Sequence, residues 1–328
     1  MAQIFLIGLG AGAASALLFA SITSGNILAV FLFYLSALPL MLAAIAWSHI
    51  AGGLAVAVAS LSLGLVLNFW IALIYLASVG VPAYVLAYMA MLGRPVAEGA
   101  NGAPQIEWYP PGRLVIWAAL IGAALVATVI LQFGTSFETY QASVKTAFER
   151  ILKIQARIPA DQPLKIPGID NPQRFLDTLT AIIPAAAAVL FMLTNLINLW
   201  LAGRVALMSG RLQRPWPELS AISFPTFAPA LFAVAIGLSF MSGLPGFIAA
   251  VVVAVLTVAY AALGFAVLHT ITRGVGPRIW LLAVTWIGVL VFGWPLIFIA
   301  LLGIADSLFD LRGRVAARKP PFPPIQPK

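Results

Sequence analysis

The stretch MAQIFLIGLGAGAASALLFASITSGNILAVFLFYLSALPLMLAAIAWSHIAGGLAVAVASLSLGLVLNFWIALIYLASVGVPAYVLAYMAMLG, residues 1–93, contains no Asp, Glu, Lys or Arg; the first charged side chain is Arg94. A helix needs about 20 apolar residues to cross about 30 Å of hydrocarbon at a rise of about 1.5 Å per residue. Residues 1–93 therefore hold four spans. Ser24-Gly25-Asn26 separates a span near 4–22 from one near 27–47, and Pro39 bends or breaks the second. His49 to Gly53 marks the next loop. Gly80-Val81-Pro82 marks the one after, so that Pro82 opens a short fourth span ending near Leu92. The apolar run continues from Met1 without a basic leader segment, which reads as a retained first span.

Further charge-free runs cover 114–137, 178–203, 219–272 and 279–305. The first two hold one span each, near 114–133 and 178–203, and 219–272 holds two. Asn171-Pro172 reads as a cap and first helical residue, which starts the sixth helix outside the hydrocarbon. Across all 328 residues, 62% are hydrophobic and 9% charged, whereas soluble domains carry about 25% charge. A conventional soluble enzyme and a disordered chain are both excluded. Without cysteine, disulfides, thiolate nucleophiles and Cys-ligated metal centres are impossible.

The basic residues set orientation through the positive-inside rule. With Arg94 and Arg113 placed in the cytoplasm, alternation puts 134–177 outside. Arg204, Arg211 and Arg214 then fall inside, as do Arg273 and Arg278, and the tail with Arg312, Arg314, Arg318, Lys319 and Lys328. An even number of crossings must follow Arg278, so 279–305 is a hairpin turning at Gly293-Trp294-Pro295, with the tenth helix continuing toward Leu311. The expectation is an all-α polytopic transmembrane helical bundle of about ten spans with both termini cytoplasmic. It divides into an N-terminal membrane bundle (1–133), an external amphipathic and proline-containing segment (134–177), a C-terminal bundle (178–311) and a basic proline-rich tail (312–328). The net charge of +8 is an insertion and anionic-lipid signal; no basic soluble domain exists to bind nucleic acid.

Few groups remain to carry chemistry. In 134–177, Phe137, Tyr140, Val144, Phe148 and Ile151 recur at helical spacing, and Glu149 with Lys153 forms an i,i+4 pair. This segment is either an interfacial helix on the outer leaflet or a lid hinged through Pro159, Pro163 and Pro167. Asp306 lies eleven residues after Pro295, about 17 Å along a helix. It is the one acid placed within the hydrocarbon, with Asp310 one turn on. Like charges at i,i+4 repel, so a partner among His269, Arg273, Arg278 and Arg312 is expected. The cluster anchors the last helix or takes part in gating. Asn195 and Asn198 in the sixth span, and Asn68 in the third, make interhelical hydrogen bonds or contact a polar ligand. Gly8, Gly12, Ala16 and Ala20 form a small-residue packing face on the first span. His49 and His269 are too isolated for a metal site, and no phosphate loop, H-E-x-x-H or G-x-S-x-G occurs. Catalytic, cofactor and metal residues are therefore not expected, and the chain is read as not being an enzyme.

Five segments carry a resemblance: FYLSALPLMLAAIAWSH (33–49), ASVGVPAYVLAYMAMLGR (77–94), IIPAAAAVLFMLTNLINLWLAGRV (182–205), ALGFAVLH (262–269) and LLGIADSLFDLRGR (301–314). On these the chain resembles the YybS-like group of bacterial multi-pass membrane proteins of unknown function. The N-terminal half of that group is similar to the S components of energy-coupling-factor transporters. The resemblance implies a component of the bacterial cytoplasmic (inner) membrane that binds a small ligand from outside. It would work with a transmembrane coupling protein and ATPases, with no binding residues carried over. About ten spans instead of six is a departure from that pattern. The expected function is transport-associated ligand binding in a cavity among the first six spans, lined by Asn68, Asn195 or nearby aromatics. The alternative is a membrane scaffold or assembly factor.

Overall fold

The computed structural model describes residues 1–98, 104–159, 161–162, 169, 171–218, 220 and 222–318. Pro163, Pro167 and the proline tail lie outside the described residues. The chain is an all-α polytopic membrane protein, with seven described segments long and apolar enough to cross a bilayer.

The first, Ala2–Ser24, begins with α1 (Ala2–Ala20). The second is broken into α2 (Ile27–Tyr34) and α3 (Ala37–Ala46), as Pro39 in the first turn of α3 leads one to expect. The third is α4 (His49–Val66) and the fourth is α5 (Phe69–Tyr75), a π turn over Leu76–Gly80, and α6 (Val81–Ala90). Here the structure corrects two boundaries. His49 opens a helix instead of a loop, because the Ser48 side chain accepts from the Ala51 N–H at 3.2 Å. The break between the third and fourth spans falls at Leu67-Asn68, where the Asn68 side chain caps Ile71 N–H at 2.9 Å. Gly80 and Pro82 lie inside the fourth span, with the π turn absorbing the irregularity.

Two short antiparallel strands, β1 (Gly93–Glu98) and β2 (Pro104–Trp108), replace the irregular loop expected there. Next come α7 (Pro111–Phe133), the amphipathic α8 (Phe137–Ala156) and α9 (Pro172–Met208). Asn171 caps α9 as expected, accepting from Arg174 N–H at 3.0 Å. At 37 residues α9 is about 55 Å long, well beyond the hydrocarbon. The last membrane elements are α10 (Ala228–Ser239), α11 (Gly243–Ile271), α12 (Arg278–Phe292) and α13 (Leu296–Phe309). The hairpin turns at Gly293 (φ 72°), as expected; α13 stops at Phe309, because Asp310 adopts a left-handed conformation (φ 47°) before α14 (Leu311–Arg318).

Two close helix pairs organise the bundle. On α1, a Cβ at Gly8 would press on Leu54 of α4, and one at Gly12 would meet the Ala55 carbonyl and Val58. Ala16 is buried on the same face and Ala20 packs against the core. This face is thus used inside the chain. The second pair is α11 with α13: a Cβ at Gly264 would strike the Ile299 carbonyl oxygen, and one at Gly303 the Tyr260 carbonyl oxygen. Backbone meets backbone at this crossing. Between the two pairs, α7 and α9 connect the halves, with the Gly122 Cα against Phe191 and the Ala188 carbonyl.

Because rigid backbone faces both glycines, Gly303→Leu has no side chain to push aside. The expected cost is at or above the upper end of about 1–3 kcal/mol for overpacking. It should appear as a lower Tm in detergent, while Gly288→Leu, on α12 with open space around it, leaves the Tm within error.

Candidate functional site

The amphipathic α8 is started by a capping box. The Ser136 side chain accepts from Thr139 N–H, and the Thr139 hydroxyl accepts from Ser136 N–H. Hydrogen bonds from its own backbone N–H and from Ser136 hold the Glu138 carboxyl below its ordinary pKa. Phe137, Tyr140, Val144 and Phe148 turn inward, whereas Ile151 is half-exposed. The helix is docked onto the bundle at the end opposite the arginine-rich loops. Phe137 and Tyr140 pack on Phe247 of α11, with ring centroids 5.2 and 5.3 Å apart. Lys145 pairs with Asp177 of α9 at 2.5 Å, Gln141 donates to the same carboxylate, and Glu149–Lys153 closes at 3.1 Å as expected.

One hydrogen bond explains the docking position. Pro184 lies inside α9 and has no N–H for the Thr180 carbonyl four residues earlier. The Tyr140 hydroxyl donates to that carbonyl at 3.2 Å. Burial raises the Tyr140 pKa, so the phenol remains a donor at neutral pH. Below this contact, α7, α8 and α9 line a half-open apolar cavity of about 320 Å³. Its walls include Ile130, Phe133, Val144, Phe148, Ile183 and Ala187.

The asparagines do not line it. Asn68 is an exposed helix cap at the third turn of the chain, not a group within a span. Asn195 donates to the Phe191 carbonyl at 3.0 Å within its own helix. Asn198, 1% exposed, donates at 2.8 Å to the Thr194 carbonyl and to the Tyr34 carbonyl at the α2–α3 break. Both Oδ1 atoms are buried without a partner among the described residues. Beside them Ser15 donates to the Ser36 carbonyl at 2.5 Å and shares a hydrogen bond of 2.6 Å with Tyr75. Asn198 thus joins spans two and six, as an interhelical amide is expected to do.

At the arginine-rich end, Asp306 is brought together with Arg312 and separated from the other expected partners. Its side chain is 3% exposed; Oδ2 accepts from Arg312 Nε at 3.0 Å and Nη2 at 2.8 Å, and Oδ1 from the Arg312 backbone N–H at 3.0 Å. The same guanidinium donates to the Ser220 and Ile222 carbonyls at 2.8 Å each. These carbonyls lie in the segment between α9 and the short apolar helix α10. At 12 residues α10 is only about 18 Å long. Before it, the Ser220 carbonyl accepts from the Thr270 hydroxyl at 3.1 Å, and Phe224 packs on Tyr260 with ring centroids 5.2 Å apart. Tyr260 precedes Thr270 by ten residues, about 15 Å deeper along α11. Arg273 contacts the Ser220 hydroxyl at 2.8 Å, and the His269 carbonyl faces Arg278 at 3.4 Å. Asp310 is not part of this cluster: it is exposed and accepts from Gly313 N–H. A cleft of about 490 Å³ opens between these groups and α11.

The role of Arg312 before α10 is not legible in the sequence, because 219–227 carries no marker stronger than the single Pro225. Removing the Arg312 side chain would leave the buried Asp306 Oδ2 and the Ile222 carbonyl without their donor, while the Ser220 carbonyl keeps Thr270. Arg312→Ala is expected to cost about 3–5 kcal/mol, read as a fall in Tm. Arg312→Lys should restore only part, since one ammonium cannot serve Asp306, Ser220 and Ile222 with a planar fork.

Residues 13–307 match the family model described as "Predicted membrane protein (DUF2232)". No curated protein and no solved structure matches the chain. The match spans the helices from the second half of α1 to Ser307 of α13, and on that extent the chain belongs to the DUF2232 family of predicted membrane proteins.

Proposed function

We propose that the protein is a transport-associated component of a bacterial cytoplasmic membrane that accepts a small apolar molecule from the external side. The observation that carries this reading is the roofed cavity between α7, α8 and α9. Its walls are apolar, so its occupant is apolar over most of its surface. Its roof is an amphipathic helix held by one phenol hydrogen bond and by partly exposed ion pairs, which can be released without unfolding a span. The resemblance to S components, read from the sequence alone, prompts this direction of entry. The Gly8–Gly12 face is occupied by α4, so a coupling protein or ATPase complex would meet another surface.

A membrane scaffold is the second reading, and α12 favours it. Apolar from Ile279 to Phe292 apart from Thr285, α12 has no buried residue, and its Trp286 stacks on Phe265 at 3.9 Å. A partner helix would find most of its circumference free.

The test is photolabelling of the full chain in nanodiscs with an apolar diazirine probe, followed by peptide mapping. Labelling is expected at Phe133 and Ile183 above the level of lipid-facing Ile279 and Leu290, and Ala147→Trp, which fills the cavity from its roof, should reduce it about tenfold, the factor that about 1.4 kcal/mol represents. Labelling no stronger than on α12 would sink the ligand reading. Tyr140→Phe deprives the Thr180 carbonyl of its donor, at about 1–3 kcal/mol. Faster hydrogen exchange in α8, with α11 unchanged, is the expected result.

A further inference from the structure

The arginine-rich end holds a second groove that the reading above does not use. It lies between α3, α6, α7 and α9 and has a volume of about 320 Å³. From Gly203 to Leu193 it follows α9 for ten residues, about 15 Å, the depth of one leaflet's hydrocarbon. Leu193, Ile197 and Trp200 line its mouth and are 37%, 55% and 45% exposed, so it opens sideways to the bilayer. The end nearest the aqueous phase is closed by the segment after α9. Trp216 sits over Gly203 and against Trp200, with ring centroids 6.4 Å apart.

Arg214 stands at that closed end. Its Nη1 donates to the Ala90 carbonyl at 2.5 Å, at the C-terminus of α6. Its Nε–H is buried with no partner among the described residues. Two more cations lie at the same end: Arg204 is 5.3 Å from the ring centroid of Trp216, which lines the groove, and Arg211 is 4.8 Å from that of Trp47. The groove is therefore apolar along the bilayer and cationic at headgroup level, with an N–H donor left over.

We infer that this groove binds an anionic phospholipid of the inner leaflet, one acyl chain lying along α9 between Leu193 and Trp200 and the phosphate accepting from Arg214. Charge complementarity selects this occupant. A zwitterionic lipid brings a cation of its own beside three arginines, and an apolar helix leaves the buried Nε–H unpaired. The mouth faces hydrocarbon instead of water, so the ligand arrives by lateral diffusion and a free phosphate ester has no path along the groove. Binding would brace Arg214 between the ends of α6 and α9, and this site is independent of the cavity beneath α8.

The test is native mass spectrometry of the full chain in mild detergent, titrated with phosphatidylglycerol, phosphatidylethanolamine or glycerol phosphate. The expected order is retention of phosphatidylglycerol over phosphatidylethanolamine, with no adduct from glycerol phosphate. Arg214→Gln should reduce the phosphatidylglycerol preference about fivefold, the contribution of one arginine near an anionic surface. Arg314→Gln, an exposed arginine at the same end outside the groove, should leave it unchanged. Because Arg214 also holds Ala90, Ile197→Trp is the second variant. It blocks the mouth without touching the arginine and should lower retention of phosphatidylglycerol while the Tm is kept. Equal retention of the two lipids by the native chain, or a preference that survives Ile197→Trp, would overturn the inference, as would an equal loss with Arg314→Gln.

Discussion

A backbone carbonyl that loses its helical partner inside hydrocarbon must find another donor, and this requirement shapes the whole protein. Several carbonyls freed by irregularities or ends of the membrane helices are answered by side chains from other elements. At the α2–α3 break the Tyr34 carbonyl receives Asn198, 164 residues away. At Pro184 the Thr180 carbonyl receives Tyr140. The segment before α10 receives Arg312 at Ser220 and Ile222, and the end of α6 receives Arg214 at Ala90. Water offers no competing hydrogen bond in hydrocarbon, so each such contact holds its helices in register.

These contacts differ in what their loss would release, and the two ends of the bundle differ with them. Asp306 and Arg312 form a buried ion pair that also serves two carbonyls, so breaking it exposes several unsatisfied groups at once. That end is locked. Tyr140 makes a single neutral hydrogen bond, and its helix adds ion pairs whose partly exposed groups, Lys145 and Asp177, are solvated when they part. Movement is therefore cheapest at α8. The Gly264–Gly303 crossing strengthens the contrast, because rigid backbone contact ties α13 to α11 beside the locked end.

Much of the architecture was legible from where charges are missing. The hairpin at Gly293, the break near Pro39, the cap at Asn171 and the inward face of α8 all follow from local chemistry: φ freedom, a missing N–H, a capping side chain and helical periodicity. The boundary between spans three and four was misplaced because Gly80 and Pro82 look like a turn. Pro82 in the first turn of α6 needs no N–H, however, and a π turn takes up the extra residue. Asn68 carries the true signal, as the N-cap of α5. The two strands at 93–108 were unreadable, since only their mutual pairing and the Arg94–Glu107 contact define them.

The sites were less legible than the fold for a related reason. Composition shows which residues are polar, but not which carbonyls will be left without a partner; those depend on where helices break. Arg312 was named only as one of four partners for Asp306, and Arg214 only as a topological marker. Their significance comes from the acceptors they meet, Ser220 and Ile222 in one case and Ala90 in the other. Arg214 differs from Arg312 in having a buried donor still unspent among the described residues. A guanidinium that satisfies all its acceptors is structural cement; one that holds a helix end while keeping an N–H in reserve beside an apolar groove can respond to what enters it. That difference, rather than the number of arginines, separates the locked end's anchor from its binding site.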